Sequence, residues 1–279
     1  MEENKTPMKK SILYLQLISY SFLIISLAAC SVNKANIDNE LKSFYDAEKV
    51  EGCFTLLDNA SGQITVYNMG MDTTRVAPGA TFDVLNAMVA IHSGTITDEN
   101  KPLNFKKEND SIAASTITLK QAFHDNSKEC TQFIAQLAGT EVMQKWIDSL
   151  SYGNKTIGDS TEMYWSNNKL KISPDEQLGL LKRLYFDQLP FRKSVQESVR
   201  NMLLQEDNSA YRLSYKTASI INESNHLITW NIGWVEENRH VYFFVNLIKN
   251  NSIDKAPEQT AEKVTKNILS HYGFFKGLK

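Results

Sequence analysis

The sequence predicts a mixed α/β protein of the α+β type, in which both ends of the chain supply strands to one antiparallel sheet and the middle is helical. Runs rich in aromatic and β-branched residues occur at 51–68 and again after residue 210, whereas residues 115–210 show mostly helical spacing. The 279 residues, 42% hydrophobic and 22% charged, are enough for one large domain or two small ones.

The N-terminus has the features of an exported lipoprotein. A basic pair, Lys9-Lys10, precedes an apolar run that ends in Leu-Ala-Ala-Cys at Cys30. A basic start, an apolar centre and small residues near the end are typical of a secretory signal. The ending resembles the bacterial lipobox, which implies cleavage before Cys30 and a lipid on its thiol. A plain transmembrane anchor is the alternative, because the run is nearly long enough to span a bilayer.

The predicted organisation follows from this start. Either leader places the body of the protein outside the cytoplasm, in the bacterial envelope and facing the periplasm or the exterior. We expect three parts: a lipoprotein signal peptide at 1–30, a polar tether at 31–49 and a folded domain at 50–279.

The folded part begins with a predicted hairpin and a predicted helix. The turn residues 58–62 divide the first strand region and predict a β-hairpin. Pro78-Gly79 then breaks the chain, and residues 81–92 follow with helical spacing and a broad apolar face, with Gly94 suited to end the helix. A helix entered directly from Pro-Gly leaves its first N–H groups free to point at a ligand.

The middle predicts helices at 118–139, 140–150, 173–189 and 192–206, of which the first two are divided at Gly139. Ser173 and Glu176 form a capping box for the third. Strand signals return at 211–219, 227–237 and 239–250, with a tight connection between the last two. A C-terminal helix with apolar positions 261, 264, 268 and 269 closes the chain and ends at Gly273.

Composition argues against several functional classes. A formal net charge of −2 gives no electrostatic case for nucleic acid. The sequence contains no glycine-rich phosphate loop and no Cys/His cluster of zinc spacing, so it predicts neither a cofactor nor a metal. Cys53 and Cys130 could form a disulfide in an exported protein, but their apolar surroundings favour two separate buried thiols.

Five segments, in order, resemble the class D (oxacillinase-type) serine β-lactamases within the penicillin-recognising enzymes. The resemblance runs from about Glu51 to Gly273. The segments are PGATFDVLNAMVAI, MQKWIDSLSYGN, MYWSNNKLKIS, SYKTAS and IGWVEENRHVYFFVNL. The resemblance implies a β-lactamase/transpeptidase-like fold: a central antiparallel sheet flanked by N- and C-terminal helices, plus a helical subdomain. It also implies a cleft between the two parts that binds β-lactams or peptidoglycan peptides.

The same resemblance implies covalent catalysis and shows that its central residues are replaced. In the family a serine attacks the β-lactam carbonyl and a lysine three residues later, usually carbamylated, accepts its proton. Here the nucleophile position holds Ala80 and the base position holds Asp83. Thr81 is adjacent, but one residue turns about 100° around a helix, so its side chain should point elsewhere.

The other active-site motifs are also altered. The family's Ser-x-Val aligns without gaps to Asn126-Ser127-Lys128, and a one-residue shift would give Ser127 the serine role. Lys128 could pair with Asp83. In the third motif Lys216-Thr217 is kept and could hold a substrate carboxylate.

The remaining site positions come from the same resemblance. Ala218 replaces a glycine of the third motif, and its β-carbon should narrow the approach of a ligand to the strand. Trp165 occupies the position of an active-site tryptophan, and the backbone N–H groups of Ala80 and Ser219 are expected to form the oxyanion hole.

The predicted function is therefore that of a catalytically impaired member of the family. It would bind a β-lactam, a cell-wall peptide or a protein partner while anchored to a membrane by lipid. One alternative is an active hydrolase with Ser127 as a non-standard nucleophile. A second is a non-catalytic interaction or sensor module.

Overall fold

The computed structural model describes residues 35–106, 114–158, 163–250 and 256–279. The predicted signal peptide, the lipidation site Cys30 and residues 31–34 lie outside the described residues. Within the described ranges, no helix is both long and apolar enough to cross a membrane.

A seven-stranded sheet forms the centre of the folded unit, and its order is β1-β3-β2-β9-β8-β7-β6. All neighbouring strands are antiparallel except β1 and β3. Its strands are β1 (Ala35–Ile37), β2 (Glu51–Asp58), β3 (Ile64–Tyr67), β6 (Leu204–Asp207), β7 (Arg212–Ile221), β8 (Leu227–Glu237) and β9 (His240–Asn250). Strands from both ends of the chain therefore meet at the β2–β9 pair, and the predicted fold class is confirmed.

The helices lie around this sheet, and a separate two-stranded sheet pairs β4 (Pro102–Lys106) with β5 (Ala114–Thr118). The helices are α1 (Lys42–Glu48), α2 (Met69–Asp72), α3 (Asp83–His92), α4 (Leu119–His124), α5 (Lys128–Ala138), α6 (Thr140–Leu150), α7 (Pro174–Tyr185), α8 (Lys193–Leu203) and α9 (Pro257–His271).

Alternation along the strands divides the apolar side chains between two faces of the sheet. On one face Phe244 packs with the buried positions of α1 and α9. On the other face Phe243 packs with α3 and the helices of the middle region. The C-terminal helix buries Ala261, Val264, Ile268 and Leu269, as predicted.

The segment predicted as a polar tether is part of the folded unit from residue 35 onward. Leu41 and Tyr45 are fully buried against the C-terminal helix and the sheet. The Tyr45 hydroxyl donates a 2.8 Å hydrogen bond to Asn246 Oδ1. The predicted boundary at residue 50 is therefore wrong, because two large side chains in an otherwise polar stretch supply core contacts. This segment also supplies the N-terminal helix that packs on the sheet.

Two helix predictions are corrected by capping and pairing. The predicted helix at 118–139 is interrupted after His124, because Asn126 has a positive φ of 51° and Ser127 begins α5 as its N-cap. The predicted helix at 192–206 ends at Leu203, and residues 204–207 pair with β7 as an edge strand. The capping box at Ser173 and the hairpin joining β2 to β3 are confirmed.

Candidate active site

A cleft of about 500 Å³ opens between the start of the predicted active-site helix and the end of β7. Its lining includes four of the eight catalytic and substrate-binding positions expected from the sequence, namely Ala80, Asn126, Trp165 and Ser219. Its lining residues are Gly79, Ala80, Asn126, Lys128, Thr131, Met163, Trp165, Ser166, Ser219, Ile220, Ile221 and Glu258.

The turn that carries Ala80 is held from both sides. Residues 79–82 form one 3₁₀ turn before α3, with Gly79 at a φ of +55°. The Gly79 N–H donates to the Trp165 carbonyl at 3.0 Å, and the Trp230 indole N–H donates to the Ala77 carbonyl at 2.9 Å. The half-buried Ala80 lines the cleft at the position that the resemblance assigns to the nucleophile.

Asp83 lies at the start of α3 and is only 5% exposed. Its Oδ1 accepts a 2.7 Å hydrogen bond from the Thr131 hydroxyl, and its Oδ2 is 3.4 Å from Lys216 Nζ. Burial raises the pKa of the Asp83 carboxyl, whereas the ammonium of Lys216 and the Thr131 hydrogen bond act in the opposite direction. The base position thus holds one half of a buried ion pair.

Lys216 is the other half, and its ammonium is directed into the protein. Nζ donates to the Phe123 carbonyl and to Asn126 Oδ1, the latter at 2.7 Å, and lies 4.1 Å from the centre of the Phe123 ring. Burial lowers the pKa of Lys216, and Asp83 opposes this shift. Two of its N–H groups are used in these hydrogen bonds and the ammonium faces Asp83, so Lys216 is not placed to bind a substrate carboxylate in the cleft.

Three sequence expectations are corrected by this pairing. Lys216 does not face the cleft, and Thr217 lines a separate cavity of about 90 Å³. Lys128 is exposed and lines the cleft, and the ion pair expected between it and Asp83 is formed by Lys216 instead. Strand alternation explains the result, because residues 216 and 218 both point to the buried face of β7.

Ala218 does not narrow the cleft as expected. Its side chain is fully buried, and a β-carbon placed on Gly79 would lie 3.6 Å from the Ala218 Cβ. The methyl group therefore packs beneath the turn that carries Ala80. Ser219 and Ile220 line the cleft in its place.

Asn126 and Ser127 have different roles. Asn126 lines the cleft and directs its amide oxygen to Lys216. The half-buried Ser127 caps α5, and its hydroxyl accepts from the Cys130 N–H at 3.3 Å. The Ser127 side chain is therefore used in a structural cap and is not among the residues lining the cleft.

Sequence reasoning missed Thr131. Its hydroxyl contacts Asp83 and also lies 3.0 Å from the Ser127 carbonyl, and the residue borders the cleft while only 5% exposed. One feature of the sequence could have indicated Thr131. It lies one helical turn after Ser127, the N-cap of α5 and a predicted site residue, and so faces the same way.

Trp165 is among the residues that line the cleft, but its side chain is almost fully buried. Its ring stacks on Phe82 with centroids 5.6 Å apart and planes 4° apart, and Tyr164 and Tyr152 meet Phe82 edge-on. Thr81 points away from the cleft, with its hydroxyl bonded to the Pro78 carbonyl and to Gln177.

The Tyr-Gly-Asn motif holds the segment that follows Trp165, at residues 169–171. A β-carbon on Gly153, which has a φ of +51°, would lie 1.8 Å from the Lys171 carbonyl oxygen. The Asn154 side chain accepts from the Lys171 N–H at 2.9 Å and donates to the Lys169 carbonyl at 2.7 Å. The motif is therefore explained by folding alone.

These contacts define the chemistry open to the site. Trp165 remains in the lining of the cleft, and so do Ala80 and Ser219, whose backbone N–H groups the resemblance assigns to an oxyanion hole. It has no hydroxyl at position 80, and its buried ion pair carries no net charge whichever partner holds the proton. Among the described residues, no group of three or more His, Cys, Asp or Glu side chains is placed to hold a metal ion.

Comparisons with known proteins agree with this geometry. The family model described as "Penicillin binding protein transpeptidase domain" matches residues 52–270. The probable β-lactamase YbxI of Bacillus subtilis (strain 168) is 30% identical over 246 residues, covering 87% of this chain and 86% of the relative. β-Lactamase OXA-5 of Pseudomonas aeruginosa is 28% identical over 263 residues, covering 92% and 98%.

A solved receptor domain is similar as well. The C-terminal domain of the Bacillus licheniformis BlaR penicillin-receptor has a TM-score of 0.80 at 25% identity, and the match covers 86% of this chain and 97% of that domain.

Proposed function

The chain belongs to the penicillin-binding transpeptidase family, among the class D serine β-lactamases and their relatives, and from this premise we propose that it binds β-lactams or cell-wall peptides without acyl transfer. One observation carries the proposal: Ala80, at the nucleophile position, lines the cleft and has only a methyl group as its side chain. A methyl group has no lone pair with which to attack a carbonyl.

The base position supports the same conclusion. A general base must be able to take a proton from the attacking group. Asp83 instead holds the ammonium of Lys216 at 3.4 Å inside the protein. In serine hydrolases, removal of the nucleophile or its base costs about a millionfold in kcat, and the oxyanion hole retains only a remainder.

The features needed for binding are present. A volume of about 500 Å³ is within the usual range for small-molecule sites, and the exposed Ile221 offers an apolar surface at its rim. The backbone on both sides of the cleft is fixed by the hydrogen bonds of Gly79 and the β7–β8 pairing. Recognition can therefore survive the loss of catalysis.

A receptor role is a second candidate, and the likeness to the BlaR receptor domain favours it. Such a protein would report a bound ligand to a partner in the envelope. Since position 80 has no hydroxyl, ligand detection here would be non-covalent. The leader sequence supports a location in the envelope, with a lipid anchor at Cys30. Mass spectrometry of the membrane-extracted protein would test the anchor by the added lipid mass on Cys30.

The central test measures binding and acylation separately. Residues 35–279 are incubated with a fluorescent penicillin and, in parallel, with nitrocefin. We expect no covalent label and no hydrolysis, but a saturable ligand-dependent rise in Tm. Absence of any thermal shift with β-lactams and muropeptides would refute a binding function.

Variants identify the cause of either result. Ala80→Ser/Asp83→Lys restores both family residues, and hydrolysis by this variant would show that the loss is confined to them. If the parent protein is labelled, Ser127→Ala and Thr131→Val show which hydroxyl reacts. Thr131 is the stronger candidate of the two, because its hydroxyl contacts the Asp83 carboxylate. Labelling that either substitution abolishes would overturn the non-catalytic proposal.

A further inference from the structure

We propose that Glu258 makes the cleft selective for ligands that carry an ammonium group as well as a carboxylate. This inference rests on the proposed binding function and concerns the ligand class of the same site. The argument uses the charges of the cleft, the position of Glu258 and the apolar surface beside it.

Among the described residues that line the cleft, one carries a positive charge and one a negative charge. Lys128 and Glu258 both line it, and no ion pair joins either of them to another residue of the described ranges. The remaining charges, Asp83 and Lys216, neutralise one another below the surface. An anionic ligand that reaches Lys128 therefore meets Glu258 in the same cavity.

Glu258 is well placed to accept a cation. It lies in the first turn of α9, directly after Pro257, and is only partly exposed. The positive end of the helix dipole offsets part of its charge, by about half a unit, and a net negative charge remains. A carboxylate partly withdrawn from water pairs with an ammonium more strongly than a fully exposed one.

The apolar wall gives the ligand its third contact. Ile221 is 57% exposed at the rim of the cleft, and Met163 and Trp165 lie in the same lining. A large exposed apolar side chain bordering a cavity favours a ligand with a hydrophobic group. The three features together fit a zwitterionic compound with an apolar side chain, such as a short peptide with a free amino group.

Two penicillins provide a matched test. Ampicillin and benzylpenicillin differ by one amino group, so the ratio of their Kd values isolates the ammonium. Titrations of ¹⁵N-labelled residues 35–279 at low salt should give ampicillin a Kd about fivefold lower, the upper range for a partly exposed charge pair. The difference should shrink at 0.5 M NaCl, because salt screens exposed charges. Alanylalanine and its N-acetyl derivative repeat the comparison without the lactam ring.

Substitutions locate the effect. Glu258→Gln should abolish the preference and Glu258→Lys should reverse it. Glu262→Gln is the matched control, since Glu262 lies one turn further along α9 and lines a different cavity. It should leave the preference unchanged.

The outcomes separate the two proposals. Equal affinity of both penicillins, or a preference that survives Glu258→Gln, overturns the selectivity while leaving the binding function in place. Binding of none of the four compounds overturns both.

Discussion

The buried pair of Asp83 and Lys216 gives the sharpest prediction about the folded protein. Replacing Asp83 by Asn keeps the size of the side chain and the acceptor for Thr131, but removes the charge opposite Lys216. At 3.4 Å and an effective dielectric of about 20, the lost attraction is about 5 kcal/mol. Breaking a buried pair commonly costs about 3–5 kcal/mol, because the remaining charge is stranded. We expect Tm to fall by about 6–20 °C.

A double-mutant cycle tests whether this cost belongs to the pair. Lys216→Met should also destabilise the protein, whereas Asp83→Asn/Lys216→Met should recover most of the stability because no unpaired charge is left inside. Denaturant unfolding of the four proteins at pH 7 gives the coupling energy. Two single substitutions that each cost under about 1 kcal/mol and simply add would refute the reasoning.

The pH dependence of the stability loss in Asp83→Asn gives an independent check on the direction of the Lys216 pKa shift. Burial lowers the pKa of Lys216 in the native state, so the unfolded chain binds the proton more readily. In Asp83→Asn no carboxylate opposes that shift. The loss of stability should therefore be largest near pH 6 and smaller near pH 9. A loss that grows as the pH rises would contradict this assignment.

Three further predictions concern the scaffold. Gly153→Ala should lower the free energy of unfolding by more than about 3 kcal/mol, because the new β-carbon meets the Lys171 carbonyl. Gly139→Ala, at a φ of +80° and a ψ of 153° with nothing within 4 Å, should cost about 1–3 kcal/mol from the backbone conformation alone, and so less than Gly153→Ala; equal values in denaturant titrations would refute the steric argument. Burial raises the pKa of Asp72 to about 6, so stability should fall as the pH rises from about 4 to about 6, and Asp72→Asn should remove that slope. Burial also raises the pKa of the Cys130 thiol to about 12, so this thiol should react with Ellman's reagent at pH 8 only after unfolding; rapid reaction of the native protein would show that it is accessible.

Much of the architecture could be predicted from the sequence because its causes are local. The capping box at Ser173, the break at Pro78-Gly79 and the two-residue turn between β8 and β9 depend on neighbours a few residues away. Cys53 and Cys130 are both free and buried, as their apolar surroundings indicated. The prediction of a polar tether at 35–49 was wrong because its causes are not local. The burial of this segment depends on β9 and the C-terminal helix, about 200 residues later in the chain.

For the candidate site, too, some features follow from the sequence alone and others depend on the tertiary structure. The sequence alone established that positions 80 and 83 carry neither the hydroxyl nor the amine of the family, because residue identity needs no coordinates. It could not determine what the substituted residues contact. Only the tertiary structure decided that Asp83 pairs with Lys216 rather than Lys128, and that Thr131 and Glu258 border the cleft. The contacts of Asp83 with Thr131 and with Lys216 join residues 48 and 133 positions apart, and the packing of helices against the sheet, which no local pattern encodes, brings them together.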